Sequence, residues 1–232
     1  MSGSLFTGLA EIIWLTLKLA GVTTLVLIVL ATPLAWWLAR SRGWGSQVVG
    51  ALVSLPIVLP PTVLGFYLLI ALGPHSVLMA PFQAMGIRTL AFTFEGLVIG
   101  SVVYSMPFAV QPLRNAFLAV EQDSLDAAWT LGASALSTFV RVVLPLAAPG
   151  YVVAAILTFA HTIGEFGVVL MIGGAIPGET NVLSIEVFKS VEALEWGRAH
   201  AISGLLVAFG FLAVLSLLRL ERRISWPGFN AR

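Results

Sequence analysis

The chain has 232 residues, of which 59% are hydrophobic and only 10% charged, with a formal net charge of +1 and a mean hydropathy of +1.00. A soluble domain carries charge on roughly a quarter to a third of its surface, so this chain cannot clothe itself against water and its solvent is lipid. Cysteine is absent, which excludes a disulfide framework, a thiolate metal site and a catalytic thiol.

The opening, M-S-G-S-L-F-T-G-L-A-E, lacks the positive region and small-residue cleavage site of a removable leader, so the first apolar segment is expected to be retained. A spanning helix needs about 20 largely apolar residues to cross about 30 Å of hydrocarbon. Five segments qualify: Leu19 to Ala39, Val48 to Leu72, Gly96 to Leu113, Val152 to Ile172 and Ala201 to Leu218. Lipid-facing irregular backbone would leave its polar groups unpaired at several kcal/mol each. The expected fold is therefore all-α, a polytopic membrane helix bundle of about five core transmembrane helices, read as one integral membrane domain over residues 1–232. Residues 4–18 either lie in the interface as an amphipathic helix or lengthen the first span. Continuity is the reading preferred here, with Trp14 at headgroup level and Lys18 snorkelling to the surface.

The second span reads L-P-I-V-L-P-P-T-V-L-G. Pro56, Pro60 and Pro61 each remove a helical donor, and the carbonyls they free must be satisfied by neighbours or water. Such a bend is either a packed structural kink or the wall of a pore, and Gly65 and the third span's Pro107 favour the second. In the fourth span, A-H-T-I-G-E-F-G sets His161 and Glu165 four residues apart on one expected helical face. Buried ionisable groups in a membrane segment mark protein-lined or watery surroundings. A helix-packing pair, a gate on a translocation path hinged at Gly164 and Gly167, and a metal or proton site compete for them; two ligands make no closed shell, so no metal is assigned.

Between the third and fourth spans lies a polar loop, residues 123–145. Asp123 or Ser124 is placed to cap a short helix, on which Leu125, Ala128, Trp129 and Gly132 fall at i, i+3, i+4 and i+7 as one apolar stripe. Arg40, Arg42, Arg114, Arg141, Arg219, Arg222, Arg223 and Arg232 all fall on the side of this loop. The other side holds Arg88, Lys189 and Arg198 among Glu179, Glu186, Glu192 and Glu195. Short cytoplasmic loops are the cation-rich ones, so the loop and the C-terminus are expected in the cytoplasm and the N-terminus outside. No G-x-x-x-x-G-K-[ST] loop occurs, and the only lysines are Lys18 and Lys189. The chain is therefore not expected to hydrolyse ATP or to act as an enzyme. Basic residues are scattered rather than massed, which gives no nucleic-acid surface.

The loop's spacing is similar to the cytoplasmic E-A-A-x3-G-x9-I-x-L-P loop of prokaryotic ABC importer permeases. Asp126, Ala127, Ala128 and Gly132 match its first half, and Val142, Leu144 and Pro145 its second. Asp126 stands for Glu and Val142 for Ile. Over nearly its whole length the chain resembles the permease subunits of molybdate ABC importers. Three segments carry this: L-P-I-V-L-P-P-T-V-L-G-F-Y-L-L in the second span, I-G-E-F-G in the fourth, and I-P-G-E-T from Ile176 to Thr180.

The resemblance implies an ATP-driven importer that moves a tetrahedral oxyanion, molybdate or tungstate, across the cytoplasmic (inner) membrane of a prokaryote by alternating access. It implies a homodimer of this chain in membrane lipid, and two cytoplasmic ABC ATPases that use ATP and Mg and dock on Asp126, Ala127, Ala128, Trp129, Gly132, Leu144 and Pro145. An extracytoplasmic binding protein would deliver the anion, with Pro177, Gly178, Glu179 and Thr180 as candidate contacts. The chain itself would carry no cofactor. Pore or gate candidates are Pro60, Pro61, Gly65, Pro107, His161, Gly164, Glu165 and Gly167. No Lys or Arg lies mid-span to hold a divalent anion, so specificity is expected to reside largely in the binding protein. Some members of that family carry an additional N-terminal span, whereas five core spans are expected here. A sulfate or thiosulfate permease is the neighbouring alternative. A membrane-embedded enzyme using His161 and Glu165, or a passive channel, would leave the loop without purpose.

Overall fold

The computed structural model describes residues 2–223, with side chains described over residues 8–220. All of its regular elements are helical. Helix α1 (Ser2–Arg40) runs unbroken for 39 residues, about 58 Å at 1.5 Å per residue. It therefore overruns a 30 Å hydrocarbon layer, and residues 4–18 continue the first span instead of lying flat. Helices α2 (Trp44–Val58) and α3 (Pro61–Leu72) follow. A short helical connection holds α4 (Ala80–Ala84) and leads to α5 (Phe94–Leu118). After α6 (Gln122–Thr130), α7 (Ala135–Thr138) passes through a π-helical turn, Phe139–Val143, into α8 (Leu144–Gly164). The far loop is framed by α9 (Gly167–Gly173) and α10 (Leu183–Glu192), and α11 (Trp196–Arg223) closes the bundle.

Helix α5 is the axis of the bundle, touching α1, α2, α3, α8 and α9. It runs parallel to the second half of α1: Lys18, midway along α1, sits over the Phe94 ring at the start of α5, 4.3 Å from its centroid, and Trp36 meets Phe117 near the ends of both. Small residues let the opposite seam close. A Cβ placed on Gly150 of α8 would lie 2.3 Å from the Ala116 Cβ of α5, so only glycine permits this approach. Pro107 and Pro112 are carried inside α5 without breaking it, so Pro107 does not interrupt the third span.

Four helices are long and apolar enough to cross a membrane, and a fifth crossing exists if α2 and α3 are taken together. Two expected spans prove to be broken. The second turns by 114° between α2 and α3, where Pro60 is extended at the start of α3 and Pro61 takes its first position, the place where a missing N–H costs nothing. The fourth is broken without any proline. Glu165 leaves the helix with φ −66° and ψ 131°, and α9 restarts at Gly167. Arg222 and Arg223 close α11 with side chains outside the described residues, and Arg232 lies wholly outside them.

Candidate functional site

At one end of the bundle, α6 projects beyond the spans on a base of aromatic rings. Trp36 of α1 meets Phe117 of α5 and Phe139 of the π-helical turn edge-on, each at 5.4 Å between centroids. Leu125 seats α6 in the core beside Phe117, Val120 and Val143. The expected apolar stripe is thereby divided. Leu125 faces inward at 3% exposure, whereas Trp129 is 50% and Leu131 87% exposed. The start of the helix differs too: Glu121 occupies the cap position without a side-chain bond, and Asp123 lies in the first turn.

Asp126 is fixed by its own bundle. Its Oδ1 accepts from Gln122 Nε2 at 2.9 Å, Gln122 Oε1 accepts from Arg40 Nη1 at 3.2 Å, and Arg40 lies over the Trp36 ring. A hydrogen-bonded line thus joins the end of α1 to α6.

Gly132 has a role that spacing alone did not reveal. Its φ is +79°, its N–H donates to the Trp129 carbonyl at 2.9 Å, and Ala133 N–H donates to the Ala128 carbonyl at 3.0 Å. These two bonds are the Schellman closure of a helix, in which a glycine in the left-handed region satisfies the last free carbonyls. A Cβ on Gly132 would meet open space, so within this chain the glycine serves backbone conformation and not close approach. Ala127 is exposed and Ala128 partly so. Leu144 and Pro145 belong to α8, immediately after the widened π-helical turn. Pro145 brings no N–H and its ring crowds the carbonyl four residues back, which gives the proline a local reason to follow that turn.

Midway along the bundle the two helix breaks meet. A Cβ on Gly167 would lie 2.7 Å from Pro61 Cβ, and one on Gly65 2.7 Å from Met171 Cβ and 3.3 Å from Val168 Cα. Pro60, Pro61, Gly65 and Gly167 are therefore brought together at one crossing. Gly164, which faces open space, takes no part in the contact. His161 and Glu165 do not form the expected helical pair, because Glu165 sits past the end of α8. His161 Nδ1 is 2.9 Å from Ser105 Oγ, and its ring stacks on Phe108 at 4.0 Å. Glu165 is buried at 3% exposure. Its carboxylate has the Ser101 hydroxyl as its polar neighbour, though the two make no well-formed hydrogen bond, while its main-chain carbonyl accepts from Ser184 Oγ of α10. Among the described residues no cluster of three metal-ligating side chains occurs.

At the far end, Gly178 takes φ +77° above Glu11 of α1. Thr180 is fully buried, its hydroxyl donating to the Gly173 carbonyl at 2.6 Å and accepting from Ile176 N–H at 3.1 Å. It therefore shapes the loop and presents nothing, whereas Pro177, Gly178 and Glu179 stand exposed. Behind them, the buried Glu186 holds Arg198, Lys189 at 3.4 Å and Asn181 at 2.7 Å. This anchor was missed because residues 183–192 are too short and polar to register as a span.

Residues 31–226 match the model of the family described as binding-protein-dependent transport system inner membrane component. The chain is 54% identical to the molybdenum transport system permease protein ModB of Azotobacter vinelandii, over 90% of this chain and 92% of that one. It is 29% identical to a probable sulfate transport system permease protein of Chlorella vulgaris, over 87% of this chain and 75% of the other. Its fold matches a chain of a bacterial alginate ABC transporter solved in complex with a pentasaccharide-bound periplasmic protein, with a TM-score of 0.73 at 17% identity, covering 93% of this chain and 79% of that one. A continuous helical bundle, a projecting capped helix and a family match over five-sixths of the residues agree, and the chain belongs to the binding-protein-dependent transport system inner membrane components.

Proposed function

We propose that this chain is the membrane-spanning permease of an ATP-driven importer of molybdate, lying in the inner membrane with its N-terminus outside and α6 in the cytoplasm. The observation that carries the cargo assignment is the 54% identity, over nine-tenths of both chains, to a protein named for molybdenum transport. The sulfate reading has the weaker likeness, 29% over a smaller share. Tungstate, a tetrahedral dianion of the same kind, is carried alongside molybdate in this reading.

The coupling role rests on α6. Two copies of the chain would each offer an ATPase the exposed Trp129 and Leu131 and the small surface of Ala127 and Ala128, at the tip of a helix whose base is locked to α1 and α5. A push on that tip is passed to the bundle through Leu125 and through Arg40, Gln122 and Asp126. Leu144 and Pro145 serve as the fixed root of α8. The ATPases would supply all the nucleotide chemistry, and the exposed turn at Pro177 to Glu179 would receive the binding protein, with Thr180 holding its shape. The crossing of the two breaks, with Glu165 beside it, is the gate in this account. His161, held by Ser105 and Phe108 of α5, and the nearby Pro107 are assigned to the same path in this reading.

The test is ATP-dependent uptake of radiolabelled molybdate by vesicles containing the chain, its ATPase and its binding protein. Uptake competed by tungstate, and only weakly by sulfate, is expected. Uptake that sulfate abolishes and molybdate does not would transfer the cargo to the sulfate reading.

A further inference from the structure

At the end of the bundle that carries α6, the tail of α1, the first half of α2 and the last turns of α5 border a half-open cavity of about 540 Å³. Arg42 and Arg114 line it, together with Ser41, Gln47, Ser54 and Gln111. No acidic side chain lines it, and among the described residues neither arginine has an ion-pair partner, since the recorded ion pairs involve only Lys189 and Arg198. Arg40, two residues before Arg42, is by contrast occupied by Gln122 and the Trp36 ring.

The donors are arranged for use. Ser46 spends its hydroxyl on the Ser41 and Gly43 carbonyls, but Gln111 Nε2 and Ser54 Oγ hold only each other at 3.4 Å, a contact weak enough to yield to an anion. Leu38, Val53 and Val110 form the apolar part of the wall, and low-dielectric walls concentrate the field of charges placed in a cleft. Guanidinium groups with amide and hydroxyl donors are the chemistry that recognises a tetrahedral oxyanion.

We infer that this cavity is an oxyanion site, holding a tetrahedral anion between Arg42 and Arg114 at the cytoplasmic mouth of the bundle. The placement on the cytoplasmic side and the identity of the cargo rest on the proposed function. Both arginines are exposed, so the site binds weakly and exchanges quickly, as a place of departure requires. The cavity is also roomy enough for the anion to keep water. The phosphate of an anionic lipid headgroup has the same chemistry as free molybdate, and the two sources are separable by experiment.

The chain has no cysteine, so Ala51→Cys, on the cavity wall, introduces a single thiol without removing a donor. The full-length chain is placed in nanodiscs of neutral phosphatidylcholine, and the rate at which an anionic thiol reagent labels Cys is measured with added molybdate, sulfate or chloride. Molybdate and sulfate should slow labelling and chloride should not. Adding Arg42→Gln or Arg114→Gln should raise the molybdate concentration needed by about tenfold or more, the equivalent of one charge-assisted hydrogen bond. The Arg42→Lys and Arg114→Lys pair keeps the charge and should keep most of the protection, which separates loss of the site from loss of the fold. Slowed labelling in discs containing phosphatidylglycerol without added anion would assign the site to lipid phosphate. Labelling unaffected by any oxyanion or anionic lipid, or slowed equally without the arginines, overturns the inference. Loss of protection with ATP-driven uptake intact would remove this site and leave the importer reading. Protection in a chain that supports no uptake would do the reverse.

Discussion

Gly167→Ala tests whether the two helix breaks are truly in contact. The added methyl would lie 2.7 Å from Pro61 Cβ, whereas carbon atoms rest at about 3.5–4.0 Å, so α9 and α3 must separate by about 1 Å. The obstructing atom is part of a proline ring and has no rotamer through which to retreat. Gly100→Ala is the comparison: its methyl would lie 2.5 Å from Ile172 Cδ1, the free end of a side chain that can turn aside. Overpacking of this kind costs about 1–3 kcal/mol, which for a chain of this size lowers the melting temperature by about 2–4 °C per kcal/mol. Thermal unfolding of both variants in one detergent, followed by the fraction remaining monodisperse, should show Gly167→Ala several degrees below wild type and Gly100→Ala between the two. Uptake should fall in the same order. A Gly167→Ala chain as stable as wild type, or a larger loss in Gly100→Ala, would refute the contact.

Other outcomes follow from the same geometry. At Gly132 the left-handed backbone decides the effect: Gly132→Asn should retain most uptake, because asparagine tolerates that region, while Gly132→Ala should lose about 1 kcal/mol of local stability and more uptake. The opposite order would return this glycine to a role in close approach. Glu165→Gln should leave folding and insertion intact, since the amide keeps the shape and an oxygen acceptor toward Ser101, and should change ATP consumption or substrate leak if the crossing is a gate; an unaltered cycle would make Glu165 a packing residue. Glu186→Ala leaves the part-exposed Arg198 to water and Glu195 and unpairs the buried Asn181 amide, a loss of about 1–3 kcal/mol. It should open the Pro177 to Glu179 turn to proteolysis and weaken stimulation by the binding protein, and unchanged protection would show that the turn is held by other means.

The spans were legible because hydropathy is a long-window property: α1, α5 and α11 each contain the expected segments and overrun them at both ends. The second break was legible as well, because Pro60 and Pro61 announce it chemically, although proline alone does not distinguish a kink from a 114° turn. The break at Glu165 and Phe166 was hidden. It interrupts a continuous apolar run without proline, and its cause is tertiary, since Gly167 opens the helix to receive Pro61 from 106 positions earlier in the chain. The pairing of His161 with Glu165 failed for that reason, as helical spacing holds only where the helix persists. On α6 the residue types were right and the roles were not: Leu125 turned inward because Phe117 and Val143 offer it a core, and Gly132 was drawn as a gap for a partner when it closes the helix. The basic mouth escaped notice because Arg42 and Arg114 lie 72 positions apart and come to line one cavity only through the packing of α2 on α5.

The central claim is that α6 is the surface through which a separate ATPase moves this bundle, and Trp129→Glu addresses it most directly. The ring is half exposed at the tip of α6 and outside the core cluster, so the substitution leaves the fold alone and places a charge where a docking partner would cover it. Buried aromatic anchors of an interface are worth about 2 kcal/mol or more. ATP-dependent molybdate accumulation by vesicles holding the complete transporter should therefore fall at least about thirtyfold, together with copurification of the ATPase and with membrane insertion unchanged. Full accumulation by the Trp129→Glu transporter would contradict the account.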